Sequence, residues 1–280
     1  MKCKRSCRAG LILRAAVMSA LSLICLFPFL WMVFTSFKTE SEMLQNATRL
    51  LPIHWTLENF GEAMSAGYLS FWQSFGNSLF LAIVNTAGSL LTASLAAFGF
   101  AKMRFRGKNL IFMLLLATMM IPGQVTLIPM FIIFKTVGMY DTFYPLTLPG
   151  IFLYAYGVFL LRQFFTSIPD SYIDSGKIDG AGWLRIWSVI IMPLAVPALV
   201  SLMIFKFMGS WNSFMGPMIY LASAKKYTLP LFVRSLKQDY GVRWTMLMAA
   251  STLSVIPTMI LYLCGQRFFV EGIAVGGIKG

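Results

Sequence analysis

The sequence predicts an all-α, polytopic membrane bundle of six transmembrane helices. Three observations carry that prediction: long runs without a charged residue, basic clusters confined to the ends of those runs, and apolar character around every face of each run. Of the 280 residues 58% are hydrophobic and 12% charged, with a mean hydropathy of +0.74, whereas ordinary soluble domains carry about 25% charged residues. The uncharged runs match the ~20 residues needed to cross ~30 Å of hydrocarbon. A membrane barrel would show ~10-residue segments of alternating polarity, so the backbone polar groups here must be satisfied within helices.

The spans read, in order, as Ala15 to Phe34, Ser78 to Phe100, Leu110 to Phe134, Thr142 to Leu161, Pro193 to Leu221 and Trp244 to Cys264. Residues 1–14 form a basic tail ahead of a membrane domain over 15–280. The first run is too long for the apolar core of a signal peptide and no small-residue cleavage site follows it, so it is expected to stay as a span. The tail holds Lys2, Lys4, Arg5, Arg8 and Arg14, and the tight connection after the second span holds Lys102, Arg104, Arg106 and Lys108. By the positive-inside rule both lie in the cytoplasm of a bacterial cell, with both termini on that side of the inner membrane. Parity then puts residues 37–77 outside and the connection 162–192 inside. The outer loop agrees, with Lys38 and Arg49 against Glu40, Glu42, Glu58 and Glu62. The segment from Ala222 to Arg243 does not, because it carries Lys225, Lys226, Arg234, Lys237 and Arg243 against Asp239. An alternative makes Lys206 a turn between two shorter spans, giving seven helices.

The formal charge of +13 is spread over these termini rather than gathered into one stripe, which fits membrane orientation and no nucleic-acid partner. Cys3, Cys7, Cys25 and Cys264 form no disulfide framework. Pro28, Pro122, Pro129, Pro145, Pro149, Pro193 and Pro197 each remove a backbone bond that only a neighbouring helix, a side chain or water can replace in lipid, which suits kinked helices around a cavity.

The chemistry-bearing stretch is the 162–192 connection. Pro169 and Asp170 suit a helix start and its cap, Gly180 permits a left-handed residue, and Trp183 to Ile190 restarts an amphipathic helix that Pro193 joins to the next span. These residues resemble the EAA signature of the inner-membrane permeases of ABC importers. In that pattern a Glu-Ala-Ala is followed by a glycine four positions on, then nine residues and Ile-x-Leu-Pro. Gly180, Ile190 and Pro193 match, Ile178-Asp179-Gly180-Ala181 matches the form common in sugar permeases, Asp174, Ser175 and Gly176 replace the Glu-Ala-Ala, and Met192 replaces the leucine. Gly176 costs about 0.5–1 kcal/mol against alanine in a helix.

The similarity extends over nearly the whole chain, nearest to the smaller maltose-type permease subunit. It includes Ser36 to Thr39, Trp55 to Phe60, Asn77-Ser78, Arg104 to Gly107, Ile121 to Val125, Trp211-Asn212, and Gln266 to Gly272 with Lys279-Gly280. The resemblance implies a type I ABC importer permease fold in which the helix continues past Trp211-Asn212 and the next loop faces outward. It implies a second permease subunit, two ATP-binding subunits holding ATP and magnesium, and an extracytoplasmic solute-binding protein, with a sugar or oligosaccharide as solute. The Asp174 to Gly180 helix would seat in the ATP-hydrolysing subunit. No G-x-x-x-x-G-K-[ST] loop occurs in this chain, so it is expected to be no enzyme and to hold no cofactor or metal itself.

Lys206 is the ionisable residue deepest in a span. Because an intramembrane charge costs at least ~2.5 kcal/mol, it is expected to face the solute path or a partner's polar group, with a lysine satisfied by backbone carbonyls or by snorkelling as an equal alternative. Asn85, Trp211 and Asn212 join it as candidates for that path. Asn85, Ser89, Thr92 and Ser94 recur at near-helical spacing, for which packing between helices is an equal explanation. His54 has no nucleophile, cysteine or acid pattern around it and reads as a surface residue. Other solutes, namely phosphate, polyamine or peptide, keep the same architecture. A catalytic alternative rests on Asp170 and Asp174, four apart on one helical face, which could hold Mg²⁺ in a membrane prenyltransferase.

Overall fold

The computed structural model describes residues 2–65, 70–239 and 243–277, with side chains described over 13–65, 70–237 and 243–266. Every regular element among the described residues is helical. In chain order they are α1 (Lys2–Ser36), α2 (Glu40–Gln45), α3 (Glu58–Met64), α4 (Phe71–Lys102), α5 (Lys108–Thr118), α6 (Gly123–Thr136), α7 (Tyr144–Phe152) and α8 (Ala155–Ser167). There follow α9 (Ser171–Ile178), α10 (Trp183–Arg185) running through a π-helical turn at Ile186–Ile191 into α11 (Met192–Leu194), then α12 (Val196–Trp211), α13 (Met215–Tyr220), α14 (Leu229–Asp239) and α15 (Trp244–Gly277). Four stretches are long and apolar enough to cross a bilayer unaided: Leu13–Ser36, Phe71–Lys102, Tyr144–Ser167 and Trp244–Gln266. Two bent pairs bring the number to six: α5 with α6, at 96°, and Trp183–Leu194 with α12, at 82°.

Both bends have a proline cause. Pro122 opens α6 without an N–H to continue α5 and biases Ile121 away from helical geometry. Pro197 sits in the first turn of α12, and the amide of Ala195 turns back to the carbonyls of Ile191 and Met192, both at 3.1 Å. The fifth span therefore differs from the run expected from Pro193 to Leu221: the sharp break falls at Ala195, and the helix stops again at Trp211 with Asn212 as its C-cap. The continuous helix implied past Trp211-Asn212 is corrected, because α13 is a separate short element. The seven-helix alternative is corrected too, since Lys206 lies inside α12 and makes no turn. The basic tail expected over residues 1–14 is helical from Lys2 as part of α1; its side chains through residue 12, and those of the Gln266 to Gly280 match from residue 267 on, lie outside the described residues.

The chain divides into two compact units, Met1–Phe71 with Val233–Ile256 and Trp72–Phe232 with Pro257–Gly280. In the first, the loop after α1 is ordered by its own buried polar bonds. The buried Asn59 amide donates to the carbonyls of Ser36 (2.8 Å) and Lys38 (2.7 Å), the buried Lys38 ammonium donates to the Arg49 carbonyl, and Glu42 accepts from the amides of Ile53 and His54. Glu40 accepts from the first amides of α15, at Trp244 and Thr245, where a carboxylate also complements the helix dipole. His54 is exposed.

In the second unit α4 supplies the spine. Ala82, Asn85, Thr86, Ser89, Ala93, Ala97 and Phe100 recur at three and four residues and are buried, while Phe80, Ile83, Leu91 and Leu95 stay exposed. That is one packed stripe and one exposed apolar stripe. The densest core lies toward the Lys102 end, where Phe98, Phe165, Ile173, Ile186 and Ile191 pack together.

The candidate coupling knob and the Lys206 cavity

At the Lys102 end of α4, the connection from α8 to α12 folds as a helix, a glycine turn and a second helix. Residue Gly180 adopts φ +75°. The amide of Ala181 donates to the Gly176 carbonyl at 2.9 Å and that of Gly180 to the Lys177 carbonyl at 3.0 Å, the bond pair of a Schellman motif closing α9. Asp179 is the C-cap. Gly176 is buried, and a β-carbon there would stand 2.8 Å from Ile190 Cδ1 and 3.3 Å from Ile186 Cγ1. The weak helix former is thus offset by a close approach of α9 to the π-helical turn, a compensation that spacing alone does not show.

The helix start was expected to be capped by Asp170, and this is corrected: its side chain makes no cap bond. It pairs instead with Lys102 at 2.6 Å, and the Lys102 ammonium also donates to the Ile168 carbonyl at 2.6 Å. The Lys102 hydrogen bond holds the Asp170 carboxyl below its ordinary range. Asp174 meets Lys177 at 3.8 Å, and Lys177 lies over the Trp183 ring at 4.7 Å while Trp183 packs edge-on against Phe98. Asp170 is therefore engaged with a lysine rather than aimed with Asp174 at a common point, and the described residues contain no group of three metal-ligating side chains. The outer surface of the knob carries Asp174, Ser175 and Asp179 beside Ile178 (86% exposed) and Leu184 (71% exposed). Pro193 is exposed and Ile190 half-buried.

The start of α4 is about 48 Å away along a 32-residue helix. There Asn77 donates to the carbonyls of Lys225 (2.9 Å) and Tyr227 (3.0 Å), and Ser78 Oγ accepts from the Leu229 amide. Asp141, in the left-handed region at φ 56°, accepts from the amides of Ala222 and Ser223, the Ser223 hydroxyl and the Lys226 ammonium. Burial pushes its carboxyl up, but these bonds, Ser223's first, outweigh that and hold it far below the ordinary range. The basic segment after α13 therefore lies at the same end as Asn77 and Asp141, as parity requires and against the local charge count.

Midway, α7 breaks at Leu153 and Tyr154. Carbonyls left near this break are met from α4: Ser89 donates to Gly150 at 2.6 Å and Thr92 to Ile151. Ser94 bonds only within its own helix, to Leu91. Here the residues line a half-open cavity of about 360 Å³, walled in part by Asn85, Gly150, Tyr154, Lys206 and Ser210. The Lys206 ammonium reaches the Gly150 carbonyl at 3.4 Å and stands 4.5 Å from the centre of the Tyr154 ring. Asn85 Nδ2 donates to the Leu146 carbonyl and to Ser210 Oγ, while Asn85 Oδ1 is buried without a hydrogen-bond partner. Of the four path candidates, the fold unites Asn85 with Lys206. Trp211 is buried between Phe75 and Phe207, and Asn212 is an exposed cap; neither reaches the cavity wall. Sequence reasoning missed Gly150, Tyr154 and Ser210. Ser210, one helical turn after Lys206, could have been found by face.

Residues 89–275 match the family described as "Binding-protein-dependent transport system inner membrane component". The chain is 33% identical over 262 residues to the arabinooligosaccharides transport system permease protein AraQ of Halalkalibacterium halodurans, covering 93% of each chain. It is 30% identical over 276 residues to the trehalose/maltose transport system permease protein MalG of Thermococcus litoralis, covering 98% of this chain and 97% of the relative. Among solved structures it resembles a chain of a bacterial ABC transporter that imports the acidic polysaccharide alginate, with a TM-score of 0.85, 25% identity, and coverage of 95% and 98%.

Proposed function

Since this chain belongs to the family of binding-protein-dependent transport system inner membrane components, and is thus an ABC transporter permease of the inner membrane, we propose that it carries a sugar or oligosaccharide inward. The names of its relatives support that solute class. Energy enters from a separate ATP-hydrolysing subunit that holds ATP and magnesium, and a second permease closes the other side of the path. A solute-binding protein delivers the sugar to the outer face. Both termini and the Gly180 knob face the cytoplasm, a reading supported by the basic cluster at residues 102–108.

The observation that carries the coupling role is the mounting of the knob. Its tip is apolar and uncovered at Ile178 and Leu184, while its base, through Ile173, Ile186 and Ile191, is part of the same core as α4 and α8. A packed core resists compression, so a displacement applied at Asp174, Ser175 or Asp179 moves the membrane helices with it. The solute path runs by Asn85 and Lys206.

Cysteine crosslinking from Asp174→Cys, in a chain freed of its native cysteines, to a co-expressed ATPase subunit tests the reading. A crosslinked pair that changes yield with bound nucleotide is expected. Labelling of that cysteine by an impermeant thiol reagent in intact cells would overturn it.

A further inference from the structure

Resting on the sugar-import reading above, we propose that the Lys206 cavity selects an acidic saccharide, with the Lys206 ammonium holding a uronate carboxylate as the solute passes. Three observations converge. Lys206 is the one basic residue in the interior of α12, and none of the membrane-spanning segments of this chain contains an aspartate or glutamate, so its charge has no carboxylate counterpart there. Among the described residues its ammonium is held only by a long contact to the Gly150 carbonyl and by the face of Tyr154, which leaves donor capacity directed at the cavity. The wall beside it, otherwise largely apolar, carries further polar groups. Asn85 Oδ1 lacks a partner, and a β-carbon on Gly150 would stand 2.7 Å from that oxygen and 3.3 Å from Lys206 Nζ. The missing side chain at position 150 keeps this corner open for both groups.

A cation at membrane depth without an anion is costly, and an ammonium–carboxylate hydrogen bond is among the stronger ones available. A neutral sugar offers only hydroxyls to the same ammonium. The volume of about 360 Å³ is within the range of small-ligand pockets, enough for one or two sugar rings at this corner.

The test uses the complete transporter in proteoliposomes and two probes on the same sugar backbone, one charged and one neutral: digalacturonate and its dimethyl ester. The readout is the ratio of ATP-driven uptake of the acid to that of the ester. The wild type is expected to favour the acid, Lys206→Met to lower the ratio by about tenfold or more, the loss of one charge-assisted hydrogen bond, and Lys206→Arg to retain most of it. An unchanged ratio in Lys206→Met, whether because both uptakes fall together or because neither moves, overturns the inference while leaving sugar import standing. Uptake of neither probe by the wild type overturns this inference and leaves import of a neutral sugar standing.

Discussion

Replacing Gly180 isolates the backbone contribution of the knob from every side-chain contact. The residue holds φ +75°, and a β-carbon built there meets nothing within 4 Å, so the cost of a substitution is conformational and not steric. An L-residue in the left-handed region costs about 1–2 kcal/mol, which shifts the population of the closed turn by a factor of about 5–30. Asparagine tolerates the region better than alanine, and valine worst. The expected order of coupled uptake in proteoliposomes, at matched subunit levels, is therefore Gly180, then Asn, Ala and Val. Gly182 provides the internal control. It is two residues away, equally uncrowded, and extended at φ −71° and ψ 163°, so Gly182→Ala is expected to be neutral. The nucleotide-dependent crosslink from Asp174→Cys should weaken in the same order. Equal behaviour of Gly180→Val and Gly182→Ala would refute the claim that a left-handed turn shapes the docking surface.

Two other outcomes follow from buried and ion-paired polar groups, one in each unit. Asn59→Leu leaves the Ser36 and Lys38 carbonyls unpaired in a buried site and should lower stability by about 1–3 kcal/mol, read as a drop in melting temperature of the detergent-solubilised chain; an unchanged value would show that water reaches those carbonyls. Because the Asp141 carboxyl is depressed in the folded state, its contribution is fully present above the ordinary carboxylate range near ~4 and is lost as pH falls through the lower folded value. The melting temperatures of wild type and Asp141→Asn should differ at about pH 6 and converge on acidification, and a difference that stays constant down to about pH 2 would contradict the bonding described.

Much of the site was legible as sequence because its causes are local. Gly180 announces a left-handed residue, and the spacing from Gly180 to Ile190 and Pro193 places a second helix after it. The Asp170 cap was misread because Lys102, which takes its carboxylate, lies 68 residues earlier. Gly176 looked like a defect because the side chain that needs its missing β-carbon belongs to Ile190, on the other limb of the knob.

Sequence by itself determined that the chain crosses a membrane as helices, about how many times, and where its positive ends lie. Desolvated backbone must bond to itself, and that demand is written into every apolar run of about twenty residues. Only the tertiary structure decided the two sharp bends, the side on which residues 222–229 emerge, and the meeting of Asn85 with Leu146 and Ser210, 61 and 125 residues away, around the ammonium of Lys206. Hydropathy has one dimension and is nearly alike on every face of these helices, so it cannot rank the faces. Shape, released carbonyls and a few hydroxyls choose which of them meet.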